Sequence, residues 1–258
     1  MTSITTELLS DLRTAIAFLT RLPMPHPDGP TPVNFVRAHR VFPIVGAAIG
    51  FAVGICYLAL VALDLPRAAA AALALGISAL LTGALHEDGL ADVADGFGGG
   101  HDKASKLEIM RDSRLGTYGA LILLVSFAVK LSALAALPET TVLPVLVACH
   151  ALARGILPVM VRALPNARQD GLAATAGTPT RATAAGAVTS ALLIAFLVLP
   201  WPAAVVAALA ATASACGMAM LAQRQINGQT GDVLGGAEQV AETAILLLMA
   251  AALAPHPA

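Results

Sequence analysis

Long apolar stretches, separated by short turns and by longer polar connections, dominate this chain. Crossing a bilayer takes about 20 predominantly apolar residues in a helix, because only a helix or a closed barrel satisfies its own backbone hydrogen bonds there. The alternating polar positions of a barrel strand are absent from the sequence. The pattern predicts an all-α, polytopic membrane protein of six to seven transmembrane helices, near Ile44–Leu63, Ala68–Leu85, Tyr118–Leu137, Val142–Val161, Ala182–Leu199, Ala203–Ala222 and Ala237–Leu253.

The two ends of the chain are less uniform than its middle. Two acidic residues interrupt the apolar pattern of Thr5–Leu19, which fits an amphipathic helix lying at the interface rather than a cleavable signal sequence. The following segment up to Arg40 is polar and has poor helix potential. We expect one integral membrane domain over residues 1–258, with residues 1–43 as an interfacial segment. Whether the last helix spans fully is left open, because its uncharged part begins only after Glu242.

Composition agrees with a membrane protein. The chain is 57% hydrophobic and 12% charged, whereas a soluble domain is roughly 45–50% apolar and about 25% charged. The net charge of −1 gives no reason to expect nucleic-acid binding. The cysteines stand singly in apolar runs, without metal or disulfide spacing, and are interpreted as small buried side chains: Cys56, Cys149 and Cys216.

Three long polar connections, residues 86–117, 162–181 and 223–236, alternate with very short turns. Two predicted spans separate each long connection from the next, so all three share one membrane face with the N-terminal segment. Every Lys or Arg outside the spans falls on this face except Arg67. Such a bias indicates a cytoplasmic face, which makes residues 86–117 and 223–236 candidate active-site connections in the cytoplasm.

The first connection opens with a dense acidic run between His86 and Gly96. If the second span continues as a helix past the membrane surface, Asp88, Asp92 and Asp95 fall on one narrow stripe, since each residue turns the helix by 100°. Like charges at this spacing repel one another, and acids are unfavourable at a helix C-terminus. A hard cation such as Mg²⁺, which prefers carboxylate oxygens, would reverse that repulsion.

Other interpretations of the acidic run stay open. It is also compatible with a solvated helix end that has Gly96 as its C-cap, or with a proton or sodium site. Glu87 points away from the stripe and is interpreted as a supporting residue.

A basic group follows the acidic run. The segment Phe97–His101 predicts a flexible hinge, and four cationic residues come after it. Guanidinium groups beside a carboxylate-bound metal suit a diphosphate, so Arg111 and Arg114 are expected to contact phosphate. Lys103 and Lys106 fit phosphate contact or the positive-inside bias equally well.

The third connection is rich in glycine and leads into the last helix. Glycine lets a ligand approach the backbone closely, and a helix N-terminus favours anions. Asp232 is therefore expected to complete the metal site from a second segment, and Gly231 to lie against the substrate. Glu238 and Glu242, one turn apart at the helix start, are interpreted as partners of the helix macrodipole.

Three charged or titratable residues lie inside the predicted spans. His150 and Arg154 are four residues apart and share a helix face, where they form either a functional pair or an internal packing pair. Lys130 either pairs with another group or extends its amine towards the interface.

Five segments resemble, in order, the characteristic motifs of the adenosylcobinamide-GDP ribazoletransferase family, also called cobalamin (5′-phosphate) synthase. Together they extend over nearly the whole chain: Phe18–Pro25, Phe42–Gly46, Asp88–Gly96, Glu108–Thr117 and Gly228–Gly235. The resemblance implies a late step of cobalamin biosynthesis at a bacterial inner membrane. Adenosylcobinamide-GDP and α-ribazole, or its 5′-phosphate, would give adenosylcobalamin, or its 5′-phosphate, and GMP, with Mg²⁺ as cofactor.

The resemblance and the residues together suggest roles for particular side chains. The expected Mg²⁺ ligands are Asp88, Asp92, Asp95 and Asp232. The expected substrate contacts are Arg111, Arg114, Lys106, Gly231 and, as a further candidate, Arg40. The general base is left open between His86 and an aspartate such as Asp92. The preferred base of the nucleoside is also left open, as are the number of metal ions and any association with itself or with other late cobalamin-pathway enzymes.

Two rival functions share some of these features. A CDP-alcohol phosphotransferase-like lipid enzyme would use a similar acidic site, but its usual motif has Ala-Arg after the first Asp-Gly pair, and here Ala91 is followed by Asp92. A cation-coupled transporter would explain charges inside the membrane, but transporters commonly show duplicated halves and the acidic run has no repeat.

Overall fold

The computed structural model describes residues 4–25, 32–170 and 177–253. Within these ranges the secondary structure is helical, apart from one isolated parallel bridge between Asn166 and Gln229. The helices are Ile4–Leu19 (α1), Pro32–Ala38 (α2), Phe42–Ala62 (α3), Arg67–Thr82 (α4), Leu85–Gly99 (α5), Lys103–Ile109 (α6), Thr117–Ala136 (α7), Glu139–Gly155 (α8), Leu157–Ala163 (α9), Arg181–Val198 (α10), Trp201–Ile226 (α11) and Gly231–Leu253 (α12).

The predicted polytopic membrane fold is confirmed. Six helical stretches of the described chain are long and apolar enough to cross a membrane: Phe35–Ala62, Thr117–Ala136, Glu139–Ala163, Arg181–Val198, Trp201–Ile226 and Gly231–Leu253. A seventh span arises if the bent pair of α4 and α5 is counted as one. The last helix has the length and composition of a span.

Two of these stretches form the centre of the bundle. The apolar windows of Glu139–Ala163 and of α12 are 72% and 67% buried inside the protein, whereas those of the other four are 28–39% buried. Helix α3 and helix α10 pack against α8, while α5, α7 and α11 pack against α12. Polar side chains on α8 and α12 are therefore enclosed by protein rather than lipid.

Helix α3 approaches α8 very closely through a row of glycines. A Cβ atom added at Gly46 or Gly50 would lie 2.3 Å from the backbone oxygen of His150 or Leu146, respectively. One turn further on, a Cβ atom at Gly54 would lie 2.7 Å from the Leu143 side chain. Small residues four apart allow such backbone contact between membrane helices, and this contact brings the start of α3 next to the polar part of α8.

The expectation that the second span continues past the membrane as one helix is wrong. Gly83 and Ala84 both have left-handed backbone conformations, with φ of 68° and 54°, and α5 departs from α4 at 92°. A left-handed residue ends a helix, and glycine adopts it without strain. The Arg21 side chain packs directly over Gly83, and the Arg21 amide donates to the carbonyl oxygen of Leu81 at 2.8 Å. The N-terminal segment thus holds the bend.

The N-terminal segment is more helical than expected. Helix α1 agrees with the predicted amphipathic helix, but the part of the polar segment that the structure describes forms α2 and a 3₁₀ turn leading into α3; residues 26–31 lie outside the described ranges. Fully buried Asp11 joins these pieces, because its two carboxylate oxygens accept hydrogen bonds from Arg37 and Arg40, both at 2.7 Å. An interfacial position for this segment stays a prediction.

The polar connections gather at one end of the bundle, as predicted. Gly89 in the first connection contacts Asp232 in the third, and Arg168 in the second lies 3.5 Å from the same aspartate. At the opposite end, the short turns meet through an ion pair of 2.7 Å between Arg67 and Glu139. Residues 171–176 of the second connection are outside the described ranges.

Candidate active site

The three aspartates of the acidic run lie on one helix, as the stripe requires, but that helix is α5 rather than an extension of α4. Glu87 and Asp88 occupy the first turn of α5, where the macrodipole favours negative charge. Glu87 and Asp88 are therefore not at a helix C-terminus, contrary to expectation, whereas Asp95 lies one turn before the end of α5 at Gly99. The predicted hinge is also largely helical, because α5 runs to Gly99 and α6 starts at Lys103.

Close packing of α5 on α12 brings Asp232 to the acidic run. A Cβ atom at Gly89 would lie 2.8 Å from the Asp232 carbonyl oxygen, and one at Gly235 would lie 3.3 Å from Cα of His86. Asp232 stands in the first turn of α12, where Thr230 donates its hydroxyl to the Asp232 carboxylate at 3.1 Å. The convergence of two distant segments, predicted from topology, is present in the fold.

The aspartates of the site differ in their surroundings. Asp92 is half-buried and interacts electrostatically with Asp88, Asp95 and Asp232, and with Arg168 as a cation. Such a concentration of negative charge is unfavourable without a further cation. Carboxylate oxygens are the ligands that hard divalent cations prefer, so these residues fit a Mg²⁺ site by their chemistry.

Asp95 has a different environment from the other three aspartates. Its two carboxylate oxygens accept hydrogen bonds from the backbone amides of Gly116 and Gly119, at 2.8 and 2.9 Å. A Cβ atom at either glycine would lie 2.3 Å from the carboxylate. Asp95 therefore anchors the start of α7 to α5, and its role as a metal ligand stays a prediction.

A cavity of about 220 Å³ opens beside these residues, between the N-terminal helices and the α5–α12 contact. Four predicted site residues line it: His86, Asp88, Gly231 and Asp232. Most of the other lining residues were not expected from the sequence: Phe18, Phe35, His39, Phe42, Leu85, Leu157, Val161, Asn166, Arg168, Asp170, Gly177, Gln229, Thr230, Leu234 and Gly235.

Arg168 is the most notable of the residues missed. Its Nη2 atom lies 3.5 Å from Asp232, its Nε atom lies 3.8 Å from Asp170, and its buried Nη1 has no hydrogen-bond partner among the described residues. The bridge between Asn166 and Gln229 holds this segment on the third connection, and their side chains share a hydrogen bond of 2.6 Å. An isolated arginine in a long connection carries no sequence signal that would mark it.

The cations expected to contact the substrate lie outside the cavity lining. Arg111 pairs with Asp170, a lining residue, at 2.6 Å. Arg114 is highly exposed and pairs with Asp112, and hydrogen bonds from Arg114 lower the pKa of that carboxyl. Lys106 contacts Gln225, and Arg40 is held by Asp11 as described above. Their roles in substrate binding stay predictions, and the structure favours Arg168 as the cation nearest the aspartates.

The interpretation of Glu238 and Glu242 as macrodipole partners at the helix start is wrong, because α12 begins at Gly231 and only Asp232 is an acid in its first turn. Both are buried and face Arg154, whose Nη1 atom lies 2.6 Å from Glu238 and 2.9 Å from Glu242. His150 lies 2.6 Å from Glu242, so His150 and Arg154 belong to this buried network.

Two more residues extend the network towards the cavity and the lipid. Lys130 donates to Gln239 at 2.6 Å and lies 3.8 Å from Glu242, which confirms that it pairs with other groups. His86 places its Nδ1 atom 3.6 Å from Glu238. Because His86 also lines the cavity, the network contacts the candidate active site directly.

The most compact group of metal-type ligands is not the set of aspartates. Among the described residues, the group of three with ligand atoms all within 4.8 Å is His150, Glu238 and Glu242. Arg154 already supplies the positive charge between these carboxylates. The aspartates are spaced more widely.

Fold and site together define a multi-pass helical membrane protein with a carboxylate-lined cavity at one end of the bundle. The chain belongs to the cobalamin-5-phosphate synthase family, whose sequence profile matches residues 11–250.

Several curated relatives cover nearly the whole chain, and each is named adenosylcobinamide-GDP ribazoletransferase. The protein from Bradyrhizobium diazoefficiens is 44% identical over 250 residues, covering 95% of both chains. Relatives from Rhizobium etli and Azorhizobium caulinodans are 43% and 40% identical, over 94% and 97% of this chain and 97% and 98% of their own. No solved structure matches the chain.

Proposed function

We propose that the protein joins adenosylcobinamide-GDP to α-ribazole, or to its 5′-phosphate, and releases GMP in a late step of cobalamin biosynthesis. Family membership and the names of the relatives support this reaction. The structural observation that carries the proposal is the meeting of Asp88 and Asp232 at one cavity, beside Arg168. Two carboxylates and a guanidinium at one point suit a substrate diphosphate and its metal ion.

The reaction is a substitution at phosphorus. A ribose hydroxyl oxygen of α-ribazole forms a bond to the phosphorus attached to the corrinoid arm, and the bond from that phosphorus to the bridging oxygen breaks. The bridging oxygen leaves with GMP, and a base accepts the hydroxyl proton. Positioning of the reactants and neutralisation of charge supply most of the catalysis in such a transfer.

The described side chains suit these tasks. Asp88, Asp92 and Asp232 would hold Mg²⁺, which when bound neutralises the negative charge of the diphosphate. Asp95 would have to bind Mg²⁺ while its oxygens also accept the hydrogen bonds that anchor the start of α7. Arg168 has a buried Nη1 atom that is unpaired among the described residues and could bind a phosphate oxygen.

The base is left open between His86 and an aspartate. His86 is buried on the cavity wall, and Glu238 approaches its Nδ1 atom. A base must reach the hydroxyl whose proton it accepts. His86 and Asp88 both line the cavity, so both could meet this requirement.

We also propose that the protein lies in a bacterial inner membrane with this cavity facing the cytoplasm. The support is the large number of Lys and Arg residues in the connections that surround the cavity. Of the basic residues outside the predicted spans, only Arg67 lies at the opposite end.

Purified protein in detergent would test the reaction. GMP release from adenosylcobinamide-GDP should require both α-ribazole and Mg²⁺, and the corrinoid product should contain the nucleoside. GMP release without α-ribazole would instead indicate a hydrolase. Turnover of a CDP-alcohol in place of the corrinoid substrate would indicate the lipid-enzyme alternative.

A further inference from the structure

One wall of the cavity consists of aromatic rings that pack on one another. The Phe18 and Phe35 centroids are 4.7 Å apart at 87°, and His39 stacks on Phe42 at 4.5 Å with 22° between the ring planes. Phe18 also stacks on Phe42 at 5.8 Å. All four rings line the cavity. His39 and Phe42 are buried, whereas Phe18 and Phe35 are partly exposed, so the accessible part of this aromatic wall belongs to Phe18 and Phe35.

The polar groups that line the same cavity come from other elements. His86, Asp88, Arg168 and Asp232 belong to α5, the second connection and α12, whereas the aromatic wall comes from α1, α2, the 3₁₀ turn and the start of α3. A ligand held between them would have an aromatic part at one end and a polar or charged part at the other. A nucleoside has this shape.

The size of the cavity restricts the ligand further. Pockets for drug-sized ligands are roughly 300–1,000 Å³, and this cavity, at about 220 Å³, is smaller. A two-ring base fits such a space, but a corrin macrocycle does not. The corrinoid portion of the first substrate would extend beyond it.

We propose that the aromatic wall is the binding subsite for the base of the acceptor nucleoside, a largely apolar fused ring of the benzimidazole type. The base stacks against Phe35 and its neighbours, and the ribose points towards Asp88 and Asp232. This assignment rests on the proposed function, since it specifies where the second substrate binds. It makes Phe35 a residue that determines substrate binding.

The polarity of the wall distinguishes this base from guanine, the other aromatic ring in the reaction. The edge of guanine carries several hydrogen-bond donors and acceptors, which need partners when buried. Three of the four wall residues are phenylalanines, and Nδ1 of His39 is already 3.0 Å from the Phe35 carbonyl oxygen. Gln229 donates to Asn166, while Gln229 Oε1 has no hydrogen-bond partner among the described residues; both amides belong to the polar connections and not to the aromatic wall. The wall therefore favours an apolar base.

Phe35→Leu tests the subsite, because leucine keeps an apolar side chain but removes the ring. Because the variant loses the base–aromatic stack, the Kd and the KM for α-ribazole should both rise about tenfold. The KM for adenosylcobinamide-GDP should stay unchanged. The matched control is Phe51→Leu, which alters an exposed phenylalanine on α3. Both variants should melt within a few degrees of the wild type.

The measurements separate the two proposals. If GMP release is normal but Phe35→Leu leaves the KM for α-ribazole unchanged, or raises only the KM for adenosylcobinamide-GDP, the subsite assignment is wrong and the transferase stands. If the wild type releases no GMP, the transferase proposal fails. Equilibrium binding of α-ribazole to the wild type and to the variant then tests the subsite assignment independently of turnover. Equal affinity, or no binding to either protein, would overturn the assignment.

Discussion

Gly89 of α5 rests on the backbone of Asp232 in α12, so closely that a Cβ atom at position 89 would lie 2.8 Å from the Asp232 carbonyl oxygen. This contact joins the two segments that supply the carboxylates of the candidate site. The glycine belongs to an Asp-Gly pair, and the absence of a side chain at position 89 decides how near Asp88 and Asp232 can come.

Gly89→Ala should therefore impair the site by separating α5 from α12. Contacts under 3.0 Å force a shift of the backbone, and a displacement of even 1 Å in a catalytic group can cost about a hundredfold in rate. We expect GMP release to fall at least tenfold. Gly76→Ala is the matched control, because a Cβ atom there meets nothing within 4 Å, and its activity should stay at the wild-type level.

Asp92→Asn should abolish turnover while leaving the fold intact. The substitution removes one of the clustered negative charges that we propose a metal ion balances, and it preserves the size of the side chain. Assays of GMP release across a Mg²⁺ series would measure the loss. Asp64→Asn is the control, since Asp64 is exposed in a turn at the other end of the bundle with φ of 63°, a conformation that asparagine tolerates. Full activity of Asp92→Asn would place the metal site elsewhere.

Asp95→Asn should act on stability instead. An asparagine side chain has one acceptor oxygen, so one of the buried amides of Gly116 and Gly119 would lose its partner, at a cost of about 1–3 kcal/mol. Thermal unfolding in detergent should show a lower midpoint at every Mg²⁺ concentration, including zero. An unfolding midpoint equal to that of the wild type, together with an increased requirement for Mg²⁺, would instead identify Asp95 as a metal ligand.

Arg168→Ala should impair substrate binding more than Arg114→Ala. Arg168 lines the cavity, and its buried Nη1 atom has no hydrogen-bond partner within residues 4–25, 32–170 and 177–253. Arg114 has a side chain that is 87% exposed and paired with Asp112. Hydrogen bonds to charged groups contribute about 1.5–3 kcal/mol, so kcat/KM for adenosylcobinamide-GDP should fall roughly ten- to a hundredfold in the Arg168 variant. A larger loss in the Arg114 variant would restore the loop after α6 as the main phosphate contact.

Two arginine–glutamate pairs in the chain should differ greatly in their effect on stability. Arg154→Met removes the cation that contacts both buried glutamates and leaves Lys130, 3.8 Å from Glu242, as a more distant one; breaking a buried pair typically costs about 3–5 kcal/mol. Arg67→Met removes an exposed pair with Glu139, which is worth about 1 kcal/mol or less. Thermal unfolding of the two variants in the same detergent compares them. Equal midpoints would show that Glu238 and Glu242 are neutralised by another group.

The predicted spans agree with the observed helices because lipid imposes a simple rule on sequence. Each apolar stretch, such as Tyr118–Leu137, has a helical counterpart, here α7. Alternation of long and short connections also predicted correctly that Asp88 and Asp232 would lie at the same end. The bend between α4 and α5 was not predicted. The left-handed residues Gly83 and Ala84 turn α5 away from α4, whereas the hydropathy pattern suggests one continuous helix.

The sequence by itself determined the membrane class, a count of six to seven apolar helices and the family, and it proposed the aspartates of the candidate site, because all of these follow from hydropathy, charge bias and motif order. Tertiary structure decided how the charges pair. Glu238, which looks like an ordinary acid at a helix start, meets Arg154 of a helix far away in the chain, and Arg168 reaches Asp232. Such pairings depend on which helix faces lie together in the bundle, and hydropathy along one chain does not specify that.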